Sequence, residues 1–251
     1  MNSNGLVGFL LVNKPTGVTS YYCINKLKNA LGFRTKIGHA GTLDSFATGL
    51  LIIAIGRPAT RHLGKIMELD KWYTATGKLG QLTDTLDFTG QLLEDVEIPA
   101  FTEDQIKAAI HQLGNHYRQI PPVYSALKYK GRSLSDLARE EKLTEEQLQK
   151  IVEEKAKVVT IYSCELISVD LPFFTVETHV SHGTYIRVLL NDIASKLATF
   201  ATTHELHRTK IGPFCVEKAI PLNDFKTVDD IEQALIPIDS MLDILNQYTL
   251  P

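Results

Sequence analysis

The carboxylate in the most unusual setting is Asp44, which closes the run His39-Ala40-Gly41-Thr42-Leu43-Asp44. It is the first acid in the chain and follows five basic residues, Lys14, Lys26, Lys28, Arg34 and Lys36. A carboxylate after an acid-free basic stretch stays ionised, and in a glycine-flanked loop it is available as nucleophile or base. Its ordinary alternative, a turn former or helix cap, stays open on spacing alone. Other groupings point away from common chemistries. His204-Glu205-Leu206-His207 is one residue short of the HExxH zinc helix and offers no third ligand. Asp84 and Asp87 lack the oxygen-ligand spacing of a calcium loop. Neither a GxxxxGK(S/T) phosphate loop nor a GxSxG nucleophile elbow occurs.

The elements that must position these residues can be read from periodicity. Phe9 to Val12 is a short apolar strand closed by Asn13-Lys14-Pro15, since proline cannot donate to a ladder. Ser20 is the expected N-cap of a helix to Leu31, with Ile24, Leu27 and Leu31 on one stripe and Gly32 beyond. Gly38 to Gly49 reads as a loop, and Leu50 to Ile55 as a strand buried on both faces. Trp72 to Leu79 alternates as a half-buried strand, and Thr102 to Leu113 is a capped helix. Residues 143–157 form a charged stretch with helical spacing, expected as a solvated excursion. Val158 to Val169 and Phe173 to Val180 pair as a hairpin around Asp170-Leu171-Pro172, and Tyr185 to Leu197 is an amphipathic helix. Strands and helices intermix without regular βαβ alternation, which favours an α+β fold.

Composition narrows the class further. At 251 residues, 44% hydrophobic and 22% charged, the chain can build its own core and is neither disordered nor fibrous. Its longest apolar run, Leu50 to Ile55, is far below the ~20 residues of a membrane span. Three scattered cysteines, Cys23, Cys164 and Cys215, suggest neither a disulfide framework nor a zinc knuckle, and no secretory signal is visible. A reduced, cytoplasmic protein is expected. The net charge of -3 hides an asymmetry, because residues 1–90 carry ten Lys or Arg against five Asp or Glu. Such a basic face can be the footprint of a phosphate-backbone partner, or a chance imbalance.

Six sequence blocks resolve the ambiguity. GHAGTLDSFATGLL (38–51) resembles the GHxGTLDPxATGLL signature of the TruB family of tRNA pseudouridine synthases. NKPTGVTS (13–20), KWYTATGKLGQLTDTLDFTG (71–90), QIPPVYSALKYKGR (119–132), SHGTYIRVLLNDI (181–193) and ELHRTKIGPF (205–214) resemble further family blocks, in the family's order. The resemblance implies an isomerase that converts uridine to pseudouridine at position 55, in the T loop of tRNA, by flipping the base and without metal or organic cofactor. It implies the pseudouridine-synthase fold, a mixed, largely antiparallel sheet flanked by helices with an RNA-binding cleft across one face.

The same resemblance assigns roles. Asp44 matches the catalytic aspartate, acting as nucleophile or as base at the ribose. Tyr73 matches the aromatic beneath the uracil, and Arg187 the guanidinium that pairs with the aspartate. Leu206 matches an apolar residue against the flipped base, and His39 a histidine that assists flipping. Lys14 supports the active-site loop or contacts phosphate, while Thr42, Asp87, Thr85, Lys128 and Arg208 are expected to order the cleft or bind substrate.

Three departures stand out: Ser45 where the family has proline, and His182 and His207 where it has basic residues. The chain is expected to comprise a catalytic domain over 1–235 and a short tail over 236–251 in place of a PUA-like domain. A monomer that grips the T-arm stem-loop directly, with no guide RNA, no metal and no membrane, is expected. Two readings compete with it: an RNA-binding or tRNA-folding module, and the catalytic subunit of a guide-RNA particle.

Overall fold

The computed structural model describes residues 5–32 and 34–251; residues 1–4 of the expected 1–235 span, and Phe33, lie outside. In chain order the elements are β1 (Gly8–Lys14), α1 (Ser20–Leu31), β2 (Ile37–His39), β3 (Thr48–Ile55), α2 (Arg57–Thr60), α3 (Leu63–Met67), β4 (Lys71–Leu79), β5 (Gln81–Thr83), β6 (Leu92–Asp95), α4 (Glu103–Leu113), β7 (His116–Gln119), β8 (Lys128–Tyr129), β9 (Arg132–Ser133), α5 (Leu134–Arg139), α6 (Glu145–Glu154), β10 (Lys157–Asp170), β11 (Phe173–Val180), α7 (Ile186–Ser195), β12 (Ala201–Ile211), β13 (Phe214–Cys215), β14 (Ile220–Pro221), α8 (Val228–Ala234) and α9 (Ile238–Gln247). They fall into two compact units: residues 1–73 with 206–251, and residues 74–205. Strands β4 and β12 each contribute to both units.

In the first unit β1 lies antiparallel to β3, from Gly8 opposite Ile55 to Lys14 opposite Gly49. Strand β12 runs parallel to β3, with His207 opposite Thr48 and Arg208 opposite Gly49, and β14 runs parallel to β1. The unbroken apolar run of β3 is explained by burial on both faces. Phe9, Leu11, Leu50 and Ile52 point to one side, where they meet Ile66 of α3 and Met241 of α9. Leu10, Val12, Leu51 and Ile53 point to the other, against Cys23, Leu27 and Leu31 of α1 and Ile231 of α8. Met241 of α9 is fully buried in this core, and Phe9 exchanges backbone hydrogen bonds with Ile236.

The second unit is built on the antiparallel hairpin of β10 and β11, with β7 antiparallel to β10 at the outer side. Helix α4 is fixed by a capping box between Thr102 and Gln105 and buries Ile106, Ala109 and Ile110. Helix α6, inside the 143–157 stretch, is not a simple solvated excursion. Its Leu148, Ile151 and Val152 are buried with Leu134 in a satellite core of their own, because a helical stripe of three large apolar side chains gains from leaving water. The first unit pairs strands both parallel and antiparallel, the second pairs its named strands antiparallel, and both pack helices against them, the α+β class expected. No helix among the described residues is long and apolar enough to cross a membrane.

Candidate active site

Asp44 sits between β2 and β3 in a loop that side chains from outside it hold in place. The Ser20 hydroxyl donates to the Leu43 carbonyl at 3.1 Å and accepts from the Leu43 N–H at 2.9 Å. Thr16 donates to the carbonyl of Phe46 at 2.8 Å, and the Gly17 N–H to that of Ser45 at 2.8 Å. Lys14, fully buried, directs its ammonium at the carbonyls of Pro15, Val18 and Ser45 at 2.9, 2.8 and 3.2 Å. The block NKPTGVTS is thus a clamp on the Asp44 loop. Burial pushes the Lys14 pKa down to about 8, against the opposing pull of the Asp44 charge.

Arg208 holds the other side of the loop. Its guanidinium donates to the carbonyl of Leu50 at 2.8 Å and to that of Gly41 at 3.2 Å, and the side chain is buried. Strand β12 can bring it there because Gly49 has no side chain. A Cβ on Gly49 would lie 2.3 Å from the Arg208 carbonyl oxygen, and its φ of 106° suits glycine. Lys14 was expected to support the loop or to contact phosphate, and Arg208 to order the cleft or bind substrate; both side chains are buried and donate to carbonyls that hold the loop.

Ser20 is a further correction. The N-cap of α1 is Thr19, whose hydroxyl accepts from the Tyr22 N–H at 3.0 Å, and Ser20 begins the helix instead. Its hydroxyl is thereby released to hold Leu43. Sequence reasoning missed this role, although the serine lies within a motif it had singled out.

His39 ends β2, and its Nδ1 is buried without a hydrogen-bond partner. Burial, and then the Arg208 charge, hold its pKa below the ordinary histidine value, so the neutral ring is favoured. Thr42 is exposed in the loop. Tyr73 belongs to the first unit, on the inward row of β4, and is 8% exposed. Leu206, on β12, is buried as well.

Arg187 lies in the second unit, on the first turn of α7. Taken alone, an arginine on an amphipathic helix would be a solvated charge, yet only 4% of this one is exposed. Its guanidinium pairs with the Asp87 carboxylate at 3.3 Å and donates to the carbonyls of Tyr124, at 2.8 Å, and Thr85. Asp87 is in turn fixed by the Thr89 N–H at 3.0 Å and by the Thr89 hydroxyl, with the Thr83 hydroxyl on its carbonyl at 2.7 Å. The TDTLDFT segment is therefore a cradle for the arginine. Asp87 and Thr85 both contact Arg187 here, and the Tyr124 carbonyl was not foreseen. Lys128 stands exposed in the small β8–β9 hairpin.

Helix α7 is anchored by a second polar chain. Gln119, on β7, accepts from the Tyr185 N–H at 2.8 Å and donates to the Tyr185 carbonyl at 3.1 Å and the Tyr117 hydroxyl at 2.6 Å. Burial pushes the Asp192 carboxyl up to about 6, opposed by its hydrogen bond from Tyr117. The His204 ring of the zinc-like tetrad is instead packed between Phe88 and Phe173, at centroid distances of 5.5 and 5.0 Å. Among the described residues no group of three or more His, Cys, Asp or Glu could hold a metal ion.

Comparison with known proteins agrees with these motifs. The family described as "TruB family pseudouridylate synthase (N terminal domain)" matches residues 28–186. The chain is 39% identical to tRNA pseudouridine synthase B of Protochlamydia amoebophila, over 93% of this chain and 85% of that protein. It is 37% identical to pseudouridylate synthase TRUB1 of Mus musculus, over 94% of this chain and 72% of that protein. A solved structure described as a Cbf5-Nop10-Gar1 complex shares the fold, with a TM-score of 0.68 at 24% identity. That match spans 94% of this chain and 62% of the other. With the motif blocks now found holding the Asp44 loop and cradling Arg187, and with relatives of this likeness, the chain belongs to the TruB family of pseudouridylate synthases.

Proposed function

We propose that the chain isomerises uridine to pseudouridine at position 55, in the T loop of tRNA, with Asp44 as the catalytic carboxylate. The N1–C1′ bond breaks, the uracil turns, and a C5–C1′ bond forms. The proton on C5 leaves and N1 gains one, so the reaction is an isomerisation that consumes nothing. A stacked base cannot be turned in this way, so the nucleotide must be flipped out of the loop, with Tyr73 under the uracil and Leu206 against it. His39 assists the flip. Asp44 serves as nucleophile or as base at the ribose, and either role requires an ionised carboxylate held in one place. Arg187 is the guanidinium of the same catalytic set. No metal or organic cofactor takes part, and a monomer in the cytoplasm engages the T-arm stem-loop directly, without a guide RNA.

The observation that carries this reading is the immobilised Asp44 loop, on which Lys14, Thr16, Ser20 and Arg208 all converge. So much support around one loop carboxylate exceeds what a turn former needs. The test is tritium release from a T-arm stem-loop carrying 5-tritiated uridine, with wild type beside Asp44→Asn. Release by wild type alone is expected. Release by both would remove Asp44 from the chemistry, and release by neither, with RNA still bound, would leave an RNA-binding module.

A further inference from the structure

The loop 181–184, which leads into α7 and so to Arg187, has a cation pressed against it from another strand. Lys157 opens β10, opposite Gln119 of β7. Its ammonium lies 3.4 Å from the His182 carbonyl oxygen, and a Cβ on Gly183 would come within 2.1 Å of the same nitrogen. Gly183 is favoured by its φ of 71°, and the lysine tip fills the space beside it. Beside this contact a cavity of about 150 Å³ opens, lined by Lys155, Lys157, Gln119, Gly183 and Tyr185 among others, with no carboxylate in its wall.

Both lysines lack an ion pair among the described residues. Burial alone lowers the Lys157 pKa, with no opposing carboxylate to restore it. By surface area both lysines are exposed, and two neighbouring ammonium groups with no facing carboxylate make a positive patch that attracts an anion.

We infer that this cavity binds a backbone phosphate of the substrate RNA, with Lys157 as the principal contact and Lys155 as the second. This rests on the reading of the chain as a tRNA-modifying enzyme and adds a phosphate subsite beside the helix that carries Arg187. It also supplies positive charge next to His182, the position where the family blocks carry a basic residue. Contact with one phosphate at this point fixes the register of the RNA without reading its sequence.

The experiment is the salt dependence of T-arm stem-loop binding by wild type, Lys157→Gln, Lys155→Gln, Lys157→Arg and, as control, Lys107→Gln on α4. Loss of one phosphate contact lowers the slope of log K against log salt by about 0.7–0.9. Between 50 and 200 mM salt, Lys157→Gln binding should therefore weaken about threefold less than that of wild type. Lys157→Arg should keep the wild-type slope, and so should Lys107→Gln. An unchanged slope in Lys157→Gln, with only a lower melting temperature, would make Lys157 a brace for the loop and overturn the site. Tritium release by wild type in the same preparation separates the two readings. Release with an unchanged slope rejects only the phosphate site. No release with a reduced slope rejects only the isomerase, and failure to bind RNA at all rejects both.

Discussion

Replacing Asp87 with asparagine tests the cradle around Arg187 most directly. The pair is 3.3 Å apart, with 4% and 7% of the two side chains exposed, so solvent screens it little. At an effective dielectric constant of about 20, charges at that distance attract by about 5 kcal/mol. Removing one partner of a buried pair typically destabilises by 3–5 kcal/mol. Asparagine keeps an oxygen for the Thr89 N–H and hydroxyl, and Arg187 keeps the Thr85 and Tyr124 carbonyls, so the lower end applies. Asp87→Asn should lose about 3 kcal/mol, a large part of the 5–15 kcal/mol that holds a typical domain. Urea unfolding at neutral pH reads this as a midpoint lowered by about 1 M or more at constant slope. Tritium release should fall as well, at temperatures where the variant is still folded, because the guanidinium is no longer held in one orientation. A variant within about 0.5 kcal/mol of wild type and with full turnover would show that Asp87 is not the group that fixes Arg187.

Asp192 gives a prediction in pH. Its carboxyl is raised to about 6 in the fold by burial, above its value in the unfolded chain, so the native state binds the extra proton. Its contribution to stability is therefore full at low pH, lost as pH rises through the window from about 4 to 6, and absent above, a difference of up to about 3 kcal/mol. Asp192→Asn should remove that component. A wild-type-minus-variant stability difference that stays flat from pH 4 to 6.5 would count against it. Gly49→Ala places a Cβ 2.3 Å from the Arg208 carbonyl oxygen at a φ of 106°, and should lower stability by about 3 kcal/mol or more. A melting temperature equal to that of wild type would mean that β3 and β12 do not approach as closely as they do here.

What the sequence alone determined is local. The unbroken apolar run of Leu50 to Ile55 is a strand buried on both faces, and the alternation from Trp72 to Leu79 reappears as the in-and-out burial of β4. The capped helix after Thr102 and the hairpin around Pro172 form where turn and cap chemistry put them. Motif blocks gave the family and singled out Asp44, Tyr73 and Arg187 as candidates, because residue types at fixed spacing are written directly in the chain.

Tertiary structure decided which residues hold the Asp44 loop and which hold Arg187. Lys14, Ser20 and Arg208 became clamps on the Asp44 loop, and helix α9 became part of the core through Met241. Asp87 and Arg187 meet across 100 residues of chain, and Arg208 reaches the Leu50 carbonyl across 158. Periodicity reports which face of an element turns inward, since side-chain direction repeats along one backbone. It carries no record of which distant carbonyl a buried cation will find. That choice follows from the need to satisfy each buried polar group, and only the assembled chain shows where its partners lie.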